Sequence, residues 1–188
     1  MKRRIEPIRS RKDIITIAKI LEKEPRNHLL FVMGVNNGLR LKDLLKLRFG
    51  DVGNLRPGER FWLKENKTGK DNFLVITKSI HKSIRRLADV RKPADDEYLF
   101  ASRKGNNKPI SIQHVNYLIK KWTSAINLRG NYGAYTLRKT FGYILRKEKG
   151  IGYEIIARRY NHSSPAVTMR YLGITEDEVA DIIMDEIV

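Results

Sequence analysis

Apolar residues recur at helical spacing along most of this chain, and a single pair of segments alternates as β-strands do. The first stripe follows Ser10, a residue type that caps helices, and consists of Ile14, Ile17, Ala18 and Leu21. An apolar stretch over 28–36 then ends at Asn37-Gly38, a pair typical of helix termini. Further helices are predicted over 41–47, 78–91, 111–127, 135–149, 152–160, a short segment from Ser164-Pro165, and 176–188.

The two alternating segments cover residues 60–65 and 72–77, and a polar loop that contains Gly69 separates them. This arrangement predicts a β-hairpin. We interpret Trp62, on the first strand, and Trp122, on a predicted helix, as core residues. The predicted fold class is therefore mainly α with a small antiparallel β-sheet.

The chain is strongly basic. Its 188 residues, enough for one domain with a sound core, carry 38 Lys and Arg against 21 Asp and Glu, a formal net charge of +17. This excess favours a polyanionic partner, nucleic acid rather than a membrane surface, although a basic surface that serves only solubility is the alternative. Because no apolar run reaches the ~18 residues of a membrane span and no secretory leader is evident, we expect a cytoplasmic protein.

Cysteine is absent from the sequence, which excludes disulfides, thiolate metal sites and cysteine nucleophiles. The four histidines are scattered, and neither an HExxH motif nor a P-loop occurs. We therefore expect any phosphoryl chemistry to proceed without a metal ion or another cofactor.

Four short segments carry residues suited to chemistry on a phosphodiester. They are, in chain order, Asn37-Gly38-Leu39-Arg40, Lys67-Thr68-Gly69-Lys70, Tyr135-Thr136-Leu137-Arg138 and Asn161-His162-Ser163-Ser164, the last followed by Thr168-Met169-Arg170-Tyr171. Nine positions separate His162 from Tyr171. In this order and spacing, from about residue 10 to 175, the segments resemble the catalytic domain of the tyrosine recombinases, the phage integrase family.

The resemblance assigns roles that agree with elementary chemistry. Arg40 and Arg138 would bind the phosphate, because guanidinium groups are permanently charged and bind phosphate in a bidentate manner. Tyr171 would be the nucleophile and form a 3′-phosphotyrosyl link. His162 would assist proton transfer or bind the phosphate, and Lys67 would protonate the leaving 5′-oxygen. Exchanging one ester for another conserves the bond's free energy, so no ATP is implied.

One catalytic position departs from the family pattern, since Tyr135 stands where the family has a histidine. A tyrosine hydroxyl donates a hydrogen bond to phosphate but is a poorer acid–base catalyst near neutral pH. Outside the catalytic positions, Tyr160 and Asn161 replace the usual leucine and glycine before His162. Two other assignments have rivals. Lys64 or Lys70 could replace Lys67 after a small register shift, and the competing nucleophiles Tyr143, Tyr153 and Tyr160 lack the nine-residue spacing from a histidine.

We divide the chain into a basic arm over 1–12, a catalytic domain over 13–175 and a C-terminal helix over 176–188. The arm could be flexible, a linker or merely solvated charge. The last 18 residues contain six acidic and no basic residues, so the helix should avoid DNA. It could fold back or, as the resemblance implies, dock onto a neighbouring protomer on DNA.

The function that the resemblance implies is site-specific recombination or integration on double-stranded DNA, by strand cleavage and rejoining. Two alternatives remain open. The chain could be a non-catalytic DNA-binding remnant, of which Tyr135 would be an early sign, or it could relax supercoiled DNA as a topoisomerase does with the same tyrosine chemistry.

Overall fold

The fold, taken from a computed structural model that describes residues 4–104, 107–173 and Met184, is mainly helical. The described helices are α1 (Arg11–Ile20), α2 (Pro25–Asn37), α3 (Leu41–Leu44), α4 (Phe49–Val52), α5 (Lys78–Arg91), α6 (Ile112–Ala125), α7 (Thr136–Lys149), α8 (Tyr153–Tyr160) and α9 (Pro165–Leu172). Strands β1 (Arg60–Lys64) and β2 (Asp71–Val75) form one antiparallel pair. The helix predicted over 176–188 lies, apart from Met184, outside the described residues.

Four of the helices begin next to a capping side chain, and α2 ends at a glycine. The side chains of Ser10, Thr77, Ser111 and Ser164 each accept a hydrogen bond from the backbone of the first helical turn that follows. Helix α2 ends at Gly38, which adopts the left-handed conformation with φ of 60°. Arg40 therefore follows a sharp change of chain direction rather than continuing the helix.

Helix α2 is the centre of the hydrophobic core and packs against α5 and α7. Its Phe31 meets Trp122 edge to face at 5.9 Å between ring centroids, and Trp122 is 3% exposed, as predicted for a core residue. The approach to α7 is close, because a Cβ on Gly34 would lie 2.5 Å from a methyl carbon of Leu137. This contact brings the end of α2 beside the start of α7.

The prediction that Trp62 is a core residue is wrong, since its side chain is 61% exposed. Side chains on a strand alternate between faces, and Phe61 and Leu63 occupy the inward face of β1. Trp62 lies on the outward face, where it contacts Phe73 at 5.1 Å between ring centroids.

The β-hairpin is attached to the end of α2 by one side chain. Asn37 donates to the carbonyl of Val75 at 3.1 Å and accepts from its amide at 2.8 Å. The strand register pairs Lys64 with Asp71, so the loop between them projects beyond this attachment. The hairpin loop is thereby fixed next to the turn that carries Arg40.

Residues 4–10 of the predicted basic arm pack against the domain. Ile8 is fully buried, and its amide donates to the Thr140 hydroxyl at 2.9 Å. The carbonyl of Glu6 accepts from Thr136 at 2.9 Å. This part of the arm is therefore neither free nor merely solvated. Within the described ranges, none of the helices has the length and apolar character that crossing a membrane requires.

Candidate active site

Two arginines from distant parts of the chain converge on one carbonyl oxygen. Arg138, on α7, donates to the carbonyls of Gly38 at 2.6 Å and Tyr160 at 2.7 Å. Arg40 donates to the same Tyr160 oxygen at 3.4 Å. The two guanidinium groups predicted to bind phosphate are therefore neighbours, as the motif required.

Arg138 is held rigidly. Its side chain is buried, and its guanidinium carbon lies 4.1 Å from the ring centroid of Tyr160. Burial lowers the pKa of Arg138 from its ordinary value, and the neighbouring Arg40 charge lowers it further. An arginine has so high an intrinsic pKa that it stays charged near neutral pH. The site thus contains a desolvated positive charge that favours an anion.

Lys67 reaches the same region from the hairpin loop. It lines a cavity of about 510 Å³ together with Arg40, Arg138, His162 and Tyr171. Neither of its rivals, Lys64 and Lys70, lines this cavity. The loop is anchored just before Lys67, because the backbone and side-chain nitrogens of Asn66 both donate to buried Asp43 at 2.9 Å.

His162 follows the end of α8 and contacts the predicted nucleophile. Its Nδ1 lies 2.9 Å from the hydroxyl of buried Thr168, and its ring meets that of Tyr171 at 5.4 Å between centroids. Burial, then the charges of Arg138 and Arg40, lower the pKa of His162 to about 4. The imidazole is therefore neutral at pH 7, and if Nδ1 donates to Thr168, Nε2 is free to accept a proton.

Tyr171, on α9, has a buried hydroxyl for which no residue in the described parts of the chain meets hydrogen-bond geometry, although the Arg138 guanidinium is near enough to lower its pKa. Its ring contacts Tyr160 at 5.7 Å between centroids, and the Lys139 ammonium lies 5.2 Å from its centroid. Burial raises the pKa of Tyr171 to about 12, although the nearby Arg138 and Arg40 charges oppose this rise. The hydroxyl is thus protonated and unpaired, close to two guanidinium groups.

Tyr135, the residue that precedes α7, also lines the cavity and is 64% exposed. The rival nucleophiles lie elsewhere. Tyr160 is fully buried and donates to the carbonyl of Arg138, whereas Tyr143 and Tyr153 line a separate, small cavity. None of these three side chains lines the cavity that contains Arg40 and Arg138.

Sequence reasoning missed Glu65, a buried carboxylate that forms an ion pair with Arg40. It accepts hydrogen bonds from Thr68 at 2.6 Å and Asn72 at 2.8 Å. Burial alone would raise the pKa of Glu65, but these hydrogen bonds and the Arg40 charge outweigh it and hold the pKa below its ordinary value. Its one sequence signal is an acidic residue two positions before Lys67 in an otherwise basic loop.

Sequence reasoning also missed Arg159, which ties α8 to the hairpin. Its guanidinium donates to the Asn37 carbonyl at 2.7 and 2.9 Å and to the Asn72 side chain at 2.7 Å. Burial lowers the pKa of Arg159 to about 10. No motif identifies this residue. Arg158 lies next to it on α8, and only the fold shows which of the two side chains faces inward.

Comparison with known proteins agrees with this geometry. The model of the phage integrase family matches residues 10–178. A probable integrase/recombinase, YoeC of Bacillus subtilis, is 37% identical over 175 residues, which are 92% of each chain. Tyrosine recombinase XerA of Pyrococcus horikoshii is 28% identical over 92% of this chain but only 57% of its own length.

Solved structures share the fold at low sequence identity. A XerA recombinase matches 98% of this chain and 64% of its own, with a TM-score of 0.75 and 18% identity. The XerH recombinase in its pre-cleavage complex with difH matches 95% of this chain and 53% of its own, with a TM-score of 0.73 and 18% identity. The chain therefore belongs to the phage integrase family, the family of the tyrosine recombinases, as its motifs predicted.

Proposed function

We propose that this chain performs site-specific recombination or integration by cutting and rejoining double-stranded DNA through Tyr171. The observation that carries the proposal is the shared cavity of about 510 Å³, which Tyr171, His162, Lys67 and the two arginines all line. A phosphate at Arg40 and Arg138 would lie beside the buried phenol. The chemistry then follows from the groups present.

In the cleavage step, the Tyr171 oxygen bonds to the scissile phosphorus and the bond from phosphorus to the 5′-oxygen breaks. The phenol proton passes to Nε2 of neutral His162, and Lys67 gives a proton to the departing 5′-oxygen. Arg40 and Arg138 stabilise the charge that develops on the non-bridging oxygens. Attack by a 5′-hydroxyl on the phosphotyrosine reverses every transfer and rejoins a strand.

Because burial raises the pKa of Tyr171 to about 12, the phenol is protonated at neutral pH and must lose its proton during the attack. Tyr135, an exposed residue that lines the cavity, would donate a hydrogen bond to the bound phosphate. It has no role as a base in this scheme, and His162 alone supplies that function.

Covalent trapping tests the proposal. A library of nicked duplexes, in which the cleaved strand loses a short fragment, should yield a denaturant-stable adduct with the wild-type protein. The adduct should persist in the control variant Tyr143→Phe and disappear in Tyr171→Phe. If the wild type binds DNA but forms no adduct across the library and over a range of salt, the chain is a binding remnant. Relaxation of plasmids without paired sites would instead favour the topoisomerase-like activity.

The acidic end of the sequence and the basic remainder suggest how the protein associates with itself and with DNA in the cell. We propose that the acidic segment 176–188 mediates association between protomers on DNA. The segment contains no basic residue that would favour contact with DNA, and its apolar stripe of Val179, Ile182, Ile183 and Ile187 suits a protein surface. We also propose that the protein is cytoplasmic and associates with the nucleoid when bound to DNA. The net charge of +17 supports such an association.

A further inference from the structure

Glu65 contributes a negative charge to a site whose substrate is an anion. It lies at the start of the hairpin loop, is 1% exposed, and forms an ion pair with Arg40. A carboxylate in this place weakens the attraction of the site for phosphate, and its burial is costly without compensation. Improved DNA binding therefore does not explain its presence.

The position of Glu65 is determined by contacts on every side. Its backbone amide donates to the Lys70 carbonyl at 3.0 Å, and its carbonyl accepts from Gly69 at 2.9 Å, which closes the loop. One carboxylate oxygen accepts from Asn72 at 2.8 Å, and Asn72 in turn accepts from Arg159 at 2.7 Å. These bonds fix the orientation of the carboxylate, which can therefore fix the orientation of the side chain that it pairs with.

The group that it holds is Arg40, whose side chain is otherwise weakly fixed. Apart from the ion pair, the Arg40 guanidinium forms one hydrogen bond within the described residues, which it donates to the Tyr160 carbonyl at 3.4 Å. Arg138 lies beside it, and the two like charges repel. Glu65 offsets that repulsion, and its bond from Thr68 links Arg40 to the residue that follows Lys67.

We propose that Glu65 is a positioning residue, which fixes the Arg40 guanidinium beside Arg138 and couples it to the loop that carries Lys67. This inference rests on the proposed function, since it assigns Arg40 and Lys67 to the scissile phosphate. If Glu65 has this role, its loss should affect DNA binding and DNA cleavage differently. Removing the charge leaves DNA binding equal or tighter, whereas cleavage slows because Arg40 loses its fixed orientation.

The test measures both quantities on the nicked duplex that traps the wild-type adduct. Glu65→Gln should lower the single-turnover cleavage rate about tenfold or more, with a dissociation constant for the same duplex that is unchanged or smaller. Glu65→Asp, which keeps the charge, should recover part of the rate. Glu59→Gln removes the same charge from an exposed carboxylate outside the cavity and should leave the rate unchanged.

A second variant covers the case in which Glu65→Gln does not fold. Thr68 is exposed, so Thr68→Val should fold. The loss of its 2.6 Å bond to Glu65, together with the longer 3.3 Å bond from the Lys70 amide, should slow cleavage about three- to tenfold without weakening DNA binding. Equal losses of binding, cleavage and thermal stability, without recovery in Glu65→Asp, would show a structural role instead. Unchanged or faster cleavage by Glu65→Gln would also overturn the proposal. If the wild type itself forms no adduct, the proposed function fails, which is a separate outcome.

Discussion

At the scale of single residues, the site keeps the proton donor and the proton acceptor of the nucleophilic attack, Tyr171 and His162, uncharged. Burial and two neighbouring arginines favour neutral His162, and burial favours protonated Tyr171. Both effects arise because ions lose hydration in a desolvated pocket. Phosphate binding adds a negative charge beside Arg138 and Arg40, which should favour the imidazolium that forms during the attack.

The lowered pKa of His162 predicts a pH dependence of stability. The unfolded chain takes up a proton on this histidine near its ordinary pKa of 6.5, whereas the folded chain does so only near 4. The contribution of His162 to stability should therefore decrease as the pH falls from about 6.5 to about 4 and change no further below that window. Urea denaturation at several pH values should show this decrease reduced in His162→Gln relative to the wild type. An equal decrease in both proteins would contradict the assignment.

The unpaired hydroxyl of Tyr171 predicts a conflict between stability and activity. A buried polar group without a partner costs about 1–3 kcal/mol, so Tyr171→Phe should unfold with a free energy equal to the wild-type value or up to about 1 kcal/mol higher. Tyr160→Phe is the matched control, because its hydroxyl donates to the Arg138 carbonyl and its loss should destabilise the fold by about 1 kcal/mol. Chemical denaturation compares the two variants. A clear destabilisation by Tyr171→Phe would indicate a partner for this hydroxyl.

At the scale of elements, the contact between α2 and α7 sets the separation of the two arginines. Gly34 lets α2 approach Leu137, the residue before Arg138, and α2 ends at the turn that carries Arg40. Arg138 then donates directly to Gly38 at that turn. The geometry of the phosphate site is therefore a consequence of helix packing.

Gly34→Ala should separate these helices. The added carbon would lie 2.5 Å from a Leu137 methyl group, so the variant should lose about 1–3 kcal/mol of stability and cleave more slowly at temperatures where it is still folded. Gly152→Ala is the control, because the nearest group to its added carbon is the flexible carboxylate of Glu154. Thermal unfolding and the trapping reaction measure the two effects. Wild-type cleavage by folded Gly34→Ala would show that the spacing of the arginines tolerates this shift.

At the scale of the whole molecule, positive charge continues beyond the catalytic cavity. A second cleft of about 650 Å³ is lined by Arg26, Arg103, Lys104, Lys108 and Lys121, none of which forms an ion pair within the described ranges. Helix α6 connects the two regions, since Ile112 lines the catalytic cavity and His114 lines the cleft. A duplex seated at Arg40 could therefore extend across this surface.

Each cation of this cleft that meets a phosphate should contribute to the salt dependence of DNA binding. Changing both Lys108 and Lys121 to Gln should weaken binding and lower the slope of log K against log salt by about 0.9 for each lost contact. Lys19→Gln, on the exposed face of α1 and outside both clefts, should leave the slope unchanged. Fluorescence anisotropy on one duplex at several salt concentrations gives the slopes. An unchanged slope in the double variant would place the DNA elsewhere.

The sequence by itself determined the elements with strong local signals and the chemical types in the site. The boundaries predicted for α5, 78–91, agree with the structure, because Thr77 caps the helix just before that segment and a regular apolar stripe runs along it. Arg40, Lys67, Arg138, His162 and Tyr171 were identified because four sequence motifs resemble those of the tyrosine recombinases, and the fold brings all five to one cavity. Their catalytic roles are still predictions, and covalent trapping with Tyr171→Phe tests that of the nucleophile.

Only the tertiary structure decided which residues are buried and which partners they have. Trp62 was predicted to be a core residue but faces outward, and Glu65 and Arg159, which no sequence motif identified, are partners of Arg40 and Asn37. Secondary structure depends on neighbours within one or two turns, so a sequence window contains its causes. Desolvation and buried ion pairs depend on groups brought together from positions as far apart as 37 and 159, and no local pattern encodes that meeting.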